Sequence, residues 1–237
     1  MNKKVAIMQP YIFPYIGYFQ LISAVDEFVV YDNIKYTKRG WINRNRFLLN
    51  GQSENFSIPL EKASDYATVV QRKISEGFNP DKLINKFKGA YLKAPYYNET
   101  QNLLSDILHQ SDRNLFNFTY NSLTKICRYL NITTKMTISS DVKVDHNLRS
   151  QDKVISICNA IKANTYVNPD GGRELYEFDA FQKNGIKLCF IQPSLTYYKQ
   201  FNHPFVPSLS IIDILMFNSL DQTRNMLKDY SVTGKVL

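Results

Sequence analysis

The side chains best suited to hold an anion lie between Asn33 and Ser53, where Lys35, Lys38, Arg39, Arg44 and Arg46 occur with no acidic residue among them. Forked guanidinium donors match phosphate oxygens, and Trp41, the only tryptophan, could stack on a base or a sugar. If "WINRNRF" is a strand, its two-residue period sends Asn43 and Asn45 to one face and Arg44 and Arg46 to the other. A solvated hairpin face is the ordinary explanation of such a charge run. Binding is favoured here because the cations follow an apolar strand and have no local counter-ion.

A second candidate is the uncharged stretch "MQPYIFPYIGYFQLI", Met8 to Ile22. A loop leaving a parallel strand for a helix offers unpaired N–H groups and a positive dipole end to a phosphate or carboxylate. Gly17 would let a ligand approach the backbone, with Gln9, Tyr15 and Tyr18 beside it. The competing reading is that Phe13, Tyr15, Tyr18 and Phe19 fill core while the prolines fix the turn. A third candidate, "VNPDGGRELY", puts Asn168 and the Gly171-Gly172 pair in a turn after another strand, suited to a sugar or pyrophosphate. An ordinary strand-to-helix turn explains it equally well. Asp213 lies in the apolar run "LSIIDILMFN", where a buried carboxylate needs partners; a structural hydrogen bond is the commoner reason for one. His109, His146 and His203 are scattered, and Cys127, Cys158 and Cys189 form no CxxC pair. Neither set points to a metal centre or a histidine-dependent mechanism, and the cysteines read as buried, reduced thiols.

The elements that must position these residues follow from periodicity. "VAIMQP" reads as a buried strand, Ile16 to Val25 as a helix and "EFVVYD" as a second strand, which is the βαβ signature of a parallel sheet. Asn50-Gly51 between two strand-like runs signals a hairpin. From about Ala67 to Leu130 the apolar spacing is helical, an insertion within a single α/β domain spanning 1–237. Strand and helix alternation then resumes through "KMTISSDV", a helix at Val154 to Ile161, "TYVNP", a helix at Phe178 to Lys183, and "IKLCFIQP". A final helix opens with Ser219 and Gln222 at capping-box spacing. The expected fold is a doubly wound, Rossmann-like α/β sheet with a β-hairpin and a helical insertion. Its carboxyl edge should bring Tyr15, Gly17 and Tyr18 beside Lys38 and Arg39, with Gly171-Gly172 as a further wall.

Bulk properties agree with a globular chain of 237 residues, 44% hydrophobic and 21% charged. Net charge of +8 and a pI near 9.2 suit an anionic partner such as a nucleotide, a nucleotide-sugar or a tRNA. No apolar run approaches a membrane span, and Pro10 interrupts any signal-peptide core, so a cytoplasmic location is expected.

Taken together, "MQPYIFPYIGYFQLI", "VYDNIKYTKRGWINRNR", "LKAPYY", "YVNPDGGRELY" and "LSIIDILMFN" resemble the WbqC-like protein family nearly end to end. The resemblance implies a role in bacterial O-antigen or other surface-polysaccharide biosynthesis, with glycyl or related aminoacyl transfer to an amino sugar. A more distant resemblance is to the nucleotidylyltransferase-like Rossmann folds with an HxGH loop, which implies ATP as cofactor. The corresponding positions here read Tyr15-Ile16-Gly17-Tyr18, so the two histidines that would contact ATP phosphates are absent. The expected activity is therefore that of a transferase on a nucleotide-linked amino sugar. Lys38, Arg39, Arg44 and Arg46 would hold phosphates, and Gln9, Tyr15, Tyr18 or Asp213 would lie near the reacting amine. The acyl donor is open. A non-catalytic nucleotide-sugar binding protein and an aminoacyl-tRNA-dependent acyltransferase are the alternatives.

Overall fold

The computed structural model describes residues 2–194 and 196–234. A six-stranded sheet is built from β1 (Lys4–Met8), β2 (Glu27–Val30), β5 (Lys135–Ile138), β6 (Thr165–Pro169), β7 (Lys187–Pro193) and β8 (Tyr230–Gly234). β3 (Arg44–Leu49) and β4 (Gln52–Ser57) pair separately as an antiparallel hairpin. The strand order is β5-β2-β1-β6-β7-β8, parallel throughout except for β8 on β7. Counting only the strands of this sheet, the order is 3-2-1-4-5-6, the doubly wound arrangement, with its direction reversing between β1 and β6.

Both faces of the parallel strands are covered, so their side chains alternate between two apolar layers. Ala6, Phe28, Val30, Val167 and Ile191 join the larger core, shared with α1 (Ile16–Ser23). Val5, Ile7, Val29, Tyr166, Leu188 and Phe190 join the smaller one, under α5 (Ser150–Ala160) and α6 (Phe178–Lys183). The hairpin turn has Asn50 at φ 51° and Gly51 at φ 74°. Two successive left-handed residues are what a two-residue hairpin loop of the I′ type requires, which explains the Asn-Gly pair.

The inserted helices are α2 (Pro80–Tyr91), α3 (Tyr97–Leu108) and α4 (Leu115–Tyr129). Helix therefore begins at Pro80, later than the expected Ala67. Asn79 caps the backbone N–H of Lys82 and Pro80 takes the first turn, while the preceding chain makes one 3-10 turn at Val69–Gln71 and isolated bridges at Lys35–Thr68, Leu60–Ile74 and Lys73–Asn114. Phe87 of α2 packs edge-on against Phe47 and Phe56 at 5.4 and 5.1 Å between centroids, docking the hairpin on the insertion. After α7 (Ile211–Phe217) comes α8 (Leu220–Met226), whose Ser219–Gln222 capping box is formed as spaced. The antiparallel edge strand β8 was not expected. All three cysteines are free and buried.

Two buried carboxylates fasten these parts. Glu27, 2% exposed, receives Lys3 at 2.7 Å and Lys135 at 3.0 Å and accepts from Thr137 Oγ1, tying together the starts of three strand segments. Burial alone would raise this carboxyl, but the hydrogen bonds from Lys3, Thr137 and Lys135 outweigh it and hold the group below its ordinary value. Its stabilising contribution is thus complete above the unfolded-state carboxyl range and disappears as pH falls through the lower folded value. Asp213, fully buried, accepts from Tyr91 Oη at 2.8 Å, Tyr198 Oη at 2.6 Å and Gln200 Nε2 at 2.6 Å.

Replacing Glu27 by Gln is expected to lower stability near neutral pH by about 1–3 kcal/mol and to flatten the fall in stability as the pH drops below the ordinary carboxyl range, read by urea unfolding at a series of pH values. Asp213→Ala should cost on the order of 3–5 kcal/mol, since it removes the acceptor shared by Tyr91 Oη, Tyr198 Oη and Gln200 Nε2. A loss under about 1 kcal/mol in the same urea measurement would mean that the cluster is not a tie between segments.

Candidate functional site

The carboxyl edge of the parallel strands opens into a cavity of about 830 Å³. Tyr31 and Asn33 follow β2, Leu175 and Tyr176 follow β6, and the segment from His146 to Val154 carries the start of α5 into it. Lys35, Arg149 and Lys153 are in its lining and no carboxylate is. Arg149 occupies the N-cap of α5 without a side-chain capping bond, so the first-turn N–H groups keep their positive end uncapped by side chains. Ser150, the next residue, has φ 48°, a left-handed conformation that turns the chain sharply into the helix. Tyr66 and Leu175, 83% and 68% exposed, flank the opening, and Lys35 Nζ stands 4.9 Å from the Tyr66 ring centroid. Lys153 is buried, donates 2.9 Å to Asn33 Oδ1 and lies 5.4 Å from the Tyr31 ring. Burial raises the phenols of Tyr31 and Tyr176 above their ordinary value.

A smaller cleft of about 280 Å³ brings together several residues singled out in the sequence. Tyr15, Trp41, Asn45 and Arg46 line it with Tyr11, Pro14 and Ser208. The opening loop reaches it as a rigid piece. Asn45 Nδ2 donates to the carbonyls of Ile12 and Phe13 at 3.0 and 2.9 Å, Ser210 Oγ donates to Phe13 O at 2.8 Å, and Ile211 N to Pro14 O at 2.9 Å. Phe13, fully buried, is held at φ 44° by these contacts.

The hairpin alternation is as expected, but its guanidiniums are largely occupied within the chain. Arg44 donates to the carbonyls of Gly40 and Arg39, Arg46 donates to Ser208 O at 3.0 Å, and both stand over the Trp41 ring at 5.4 and 5.3 Å. Asn43 accepts from Tyr36 Oη and donates to Ile58 O. Lys38 pairs with exposed Asp65 at 2.6 Å, and neither Lys38 nor Arg39 lines the cleft beside Tyr15. Tyr18 is core: its ring is buried and its hydroxyl donates to Gln9 O at 2.7 Å. The space beside Gly17 is filled by the Tyr15 ring and by Pro193, whose Cγ would lie 2.7 Å from an added Cβ. That position therefore accommodates Tyr15, not a ligand. Asn168 is buried, accepting from Tyr166 Oη and donating to Pro169 O, and Gly172 leaves room for its amide. Gly171 faces open space, and neither glycine lines the cavity or the cleft. Asp213 is enclosed in its three hydrogen bonds, and burial, only partly offset by them, pushes its carboxyl above the ordinary value.

Sequence reasoning did not single out Lys153, Arg149, Tyr31 or Tyr176. The one available signal was their place just after strands or at a helix start, which only the strand order turns into a common edge. Among the described residues no cluster of His, Cys, Asp or Glu is arranged to hold a metal ion, and no helix is long and apolar enough to cross a membrane.

Residues 9–225 match the WbqC-like protein family. The uncharacterized protein Rv1507c of Mycobacterium tuberculosis is 30% identical over 216 residues, covering 90% of this chain and 93% of that protein. No solved structure matches. The family match spans the opening loop, the hairpin, the helical insertion and α7, as well as the segments that line the large cavity, and the chain belongs to the WbqC-like protein family.

Proposed function

We propose that this protein is a transferase that acylates the amine of a nucleotide-linked amino sugar in surface-polysaccharide (O-antigen) biosynthesis, with a glycyl or other aminoacyl group as the transferred unit. The observation that carries the reading is the 830 Å³ cavity, lined by Lys35, Arg149 and Lys153 and by no carboxylate, at the carboxyl edge of a doubly wound sheet. Its volume falls within the roughly 300–1,000 Å³ typical of small-molecule sites. Cations and an uncapped helix start suit a diphosphate, since both place donors and positive potential on the same oxygens. Arg149 and the first turn of α5 take the diphosphate in this reading, and Lys35 the second negative charge. Tyr66 and Leu175 at the mouth offer a flat apolar rim for the base. The sugar then points inward, toward Tyr31, Asn33 and Tyr176.

The family resemblance supplies the polysaccharide context and the acyl-transfer chemistry. The hairpin arginines and Trp41 act in this reading as supports of the opening loop, because Arg44 Nε and Nη2 and Arg46 Nη2 already meet backbone carbonyls.

Titration calorimetry with UDP-glucosamine is expected to show binding that weakens with added salt. Arg149→Ala should reduce affinity by about tenfold or more, the worth of one charge-assisted hydrogen bond, with the melting temperature nearly unchanged. Mass spectrometry of the sugar after incubation with glycine and ATP, or with charged tRNA, should show an aminoacyl mass gain. Equal affinity of wild type and Arg149→Ala would remove the diphosphate from this cavity, and binding without any mass gain would leave a binding protein.

A further inference from the structure

An amine attacks an acyl group only when neutral and must shed a proton as the bond forms, so a site for this chemistry needs a proton acceptor. The cavity lining contains no Asp or Glu. His146 has both ring nitrogens engaged, Nδ1 3.0 Å from Asn33 Nδ2 and Nε2 3.1 Å from Val142 O. A carbonyl only accepts, so the ring hydrogen sits on Nε2 and Nδ1 accepts from the Asn33 amide. Arg149 does not deprotonate, Lys35 is exposed to water, and the phenols of Tyr31 and Tyr176 are shifted upward by burial.

Lys153 remains. It is 6% exposed, and among the described residues no carboxylate lies within ion-pair distance of it. Among the described residues its side-chain hydrogen bond runs to Asn33 Oδ1, whose amide nitrogen is held by His146 and whose oxygen lies 3.1 Å from Ser139 Oγ, a hydroxyl shared with Asp32 Oδ1. An amine that donates one hydrogen to a fixed oxygen directs its lone pair elsewhere, and the open side of this one is the cavity.

We propose that Lys153 is the general base of this site and that Asn33 is its positioning residue, a role that rests on the amino-sugar reading above. The sugar nitrogen attacks the carbonyl carbon of an activated acyl ester and forms the C–N bond. Its proton passes to the neutral Nζ of Lys153. The bond to the carrier breaks with its electron pair on the departing oxygen or sulfur, and the Lys153 ammonium, held by Asn33 Oδ1, returns the proton to that atom. Burial lowers this lysine below its ordinary value, with the charge of Asp32 acting in the opposite direction. Tyr31 and Asp32 after β2, His146 before α5, Tyr176 after β6, and Lys35 and Arg149 in the lining are the other titratable or charged groups around it.

Trace acetylation of the intact protein with acetic anhydride over a pH series, read by peptide mass spectrometry, tests this directly. Lys153 should become reactive at lower pH than the exposed lysines, and Asn33→Asp, which sets a carboxylate beside Nζ, should move that midpoint back up. Saturating UDP-glucosamine should suppress Lys153 labelling by about tenfold or more, since burial of Nζ under the sugar removes reagent access. If UDP-glucosamine binds but Lys153 titrates with the exposed lysines, or labels equally in the occupied protein, the base is overturned and the nucleotide-sugar reading stands. If UDP-glucosamine does not bind, both are overturned. The wild-type measurement needs no variant to fold.

Discussion

A carboxylate enclosed without a cation depends entirely on neutral donors, and at Asp213 those donors come from separate parts of the chain. Tyr91 ends the first inserted helix, Tyr198 and Gln200 lie between β7 and α7, and Asp213 itself is in α7. Tyr91 Oη also accepts from Leu48 N of the hairpin at 2.7 Å. One charge thus sets insertion, hairpin and C-terminal segment relative to each other, and a shift of any of the three breaks a buried hydrogen bond. The opening loop is fixed in turn, because Ser210 and Ile211 at the start of α7 hold the Phe13 and Pro14 carbonyls.

This architecture divides the cations into two kinds. Arg44 and Arg46 face backbone carbonyls and an indole ring, a use in which a planar, weakly hydrated guanidinium serves as internal scaffold. Lys35 and Arg149 reach the large cavity, and neither takes part in an ion pair among the described residues. The second kind is the one available to an anion. Local charge density, highest in the hairpin, does not separate the two; the hydrogen-bond partners do.

Much of the fold was legible because its signals are local. Short apolar runs marked β1, β2, β6 and β7, and helical spacing marked α1 and α6; Asn50-Gly51 marked the hairpin, and Ser219 with Gln222 marked α8. The stretch from Ala67 to Pro80 misled because Val69 and Ile74 reach the core from a short 3-10 turn and from bridged loop, not from an α-helix. β8 escaped notice because an exposed antiparallel edge strand carries no buried stripe: Ser231 to Gly234 are exposed. The site was less legible for a related reason. Tyr15, Trp41, Asn45 and Arg46 do share a cleft, but Lys153, Asn33 and Tyr176 are far apart in the chain and meet only through strand order. No spacing rule reports on a lysine that happens to be buried.

Trp41 is the chain's single indole, 36% exposed and flanked by two guanidiniums whose donors hold the Gly40, Arg39 and Ser208 carbonyls. Its emission is therefore a local optical gauge. It registers the seating of the hairpin against the opening loop and the residues before α7, and is blind to the far edge of the sheet. Two-state unfolding would make that signal coincide with far-ultraviolet circular dichroism; hairpin release ahead of the sheet would split them, giving the cooperativity of the fold a direct spectroscopic readout.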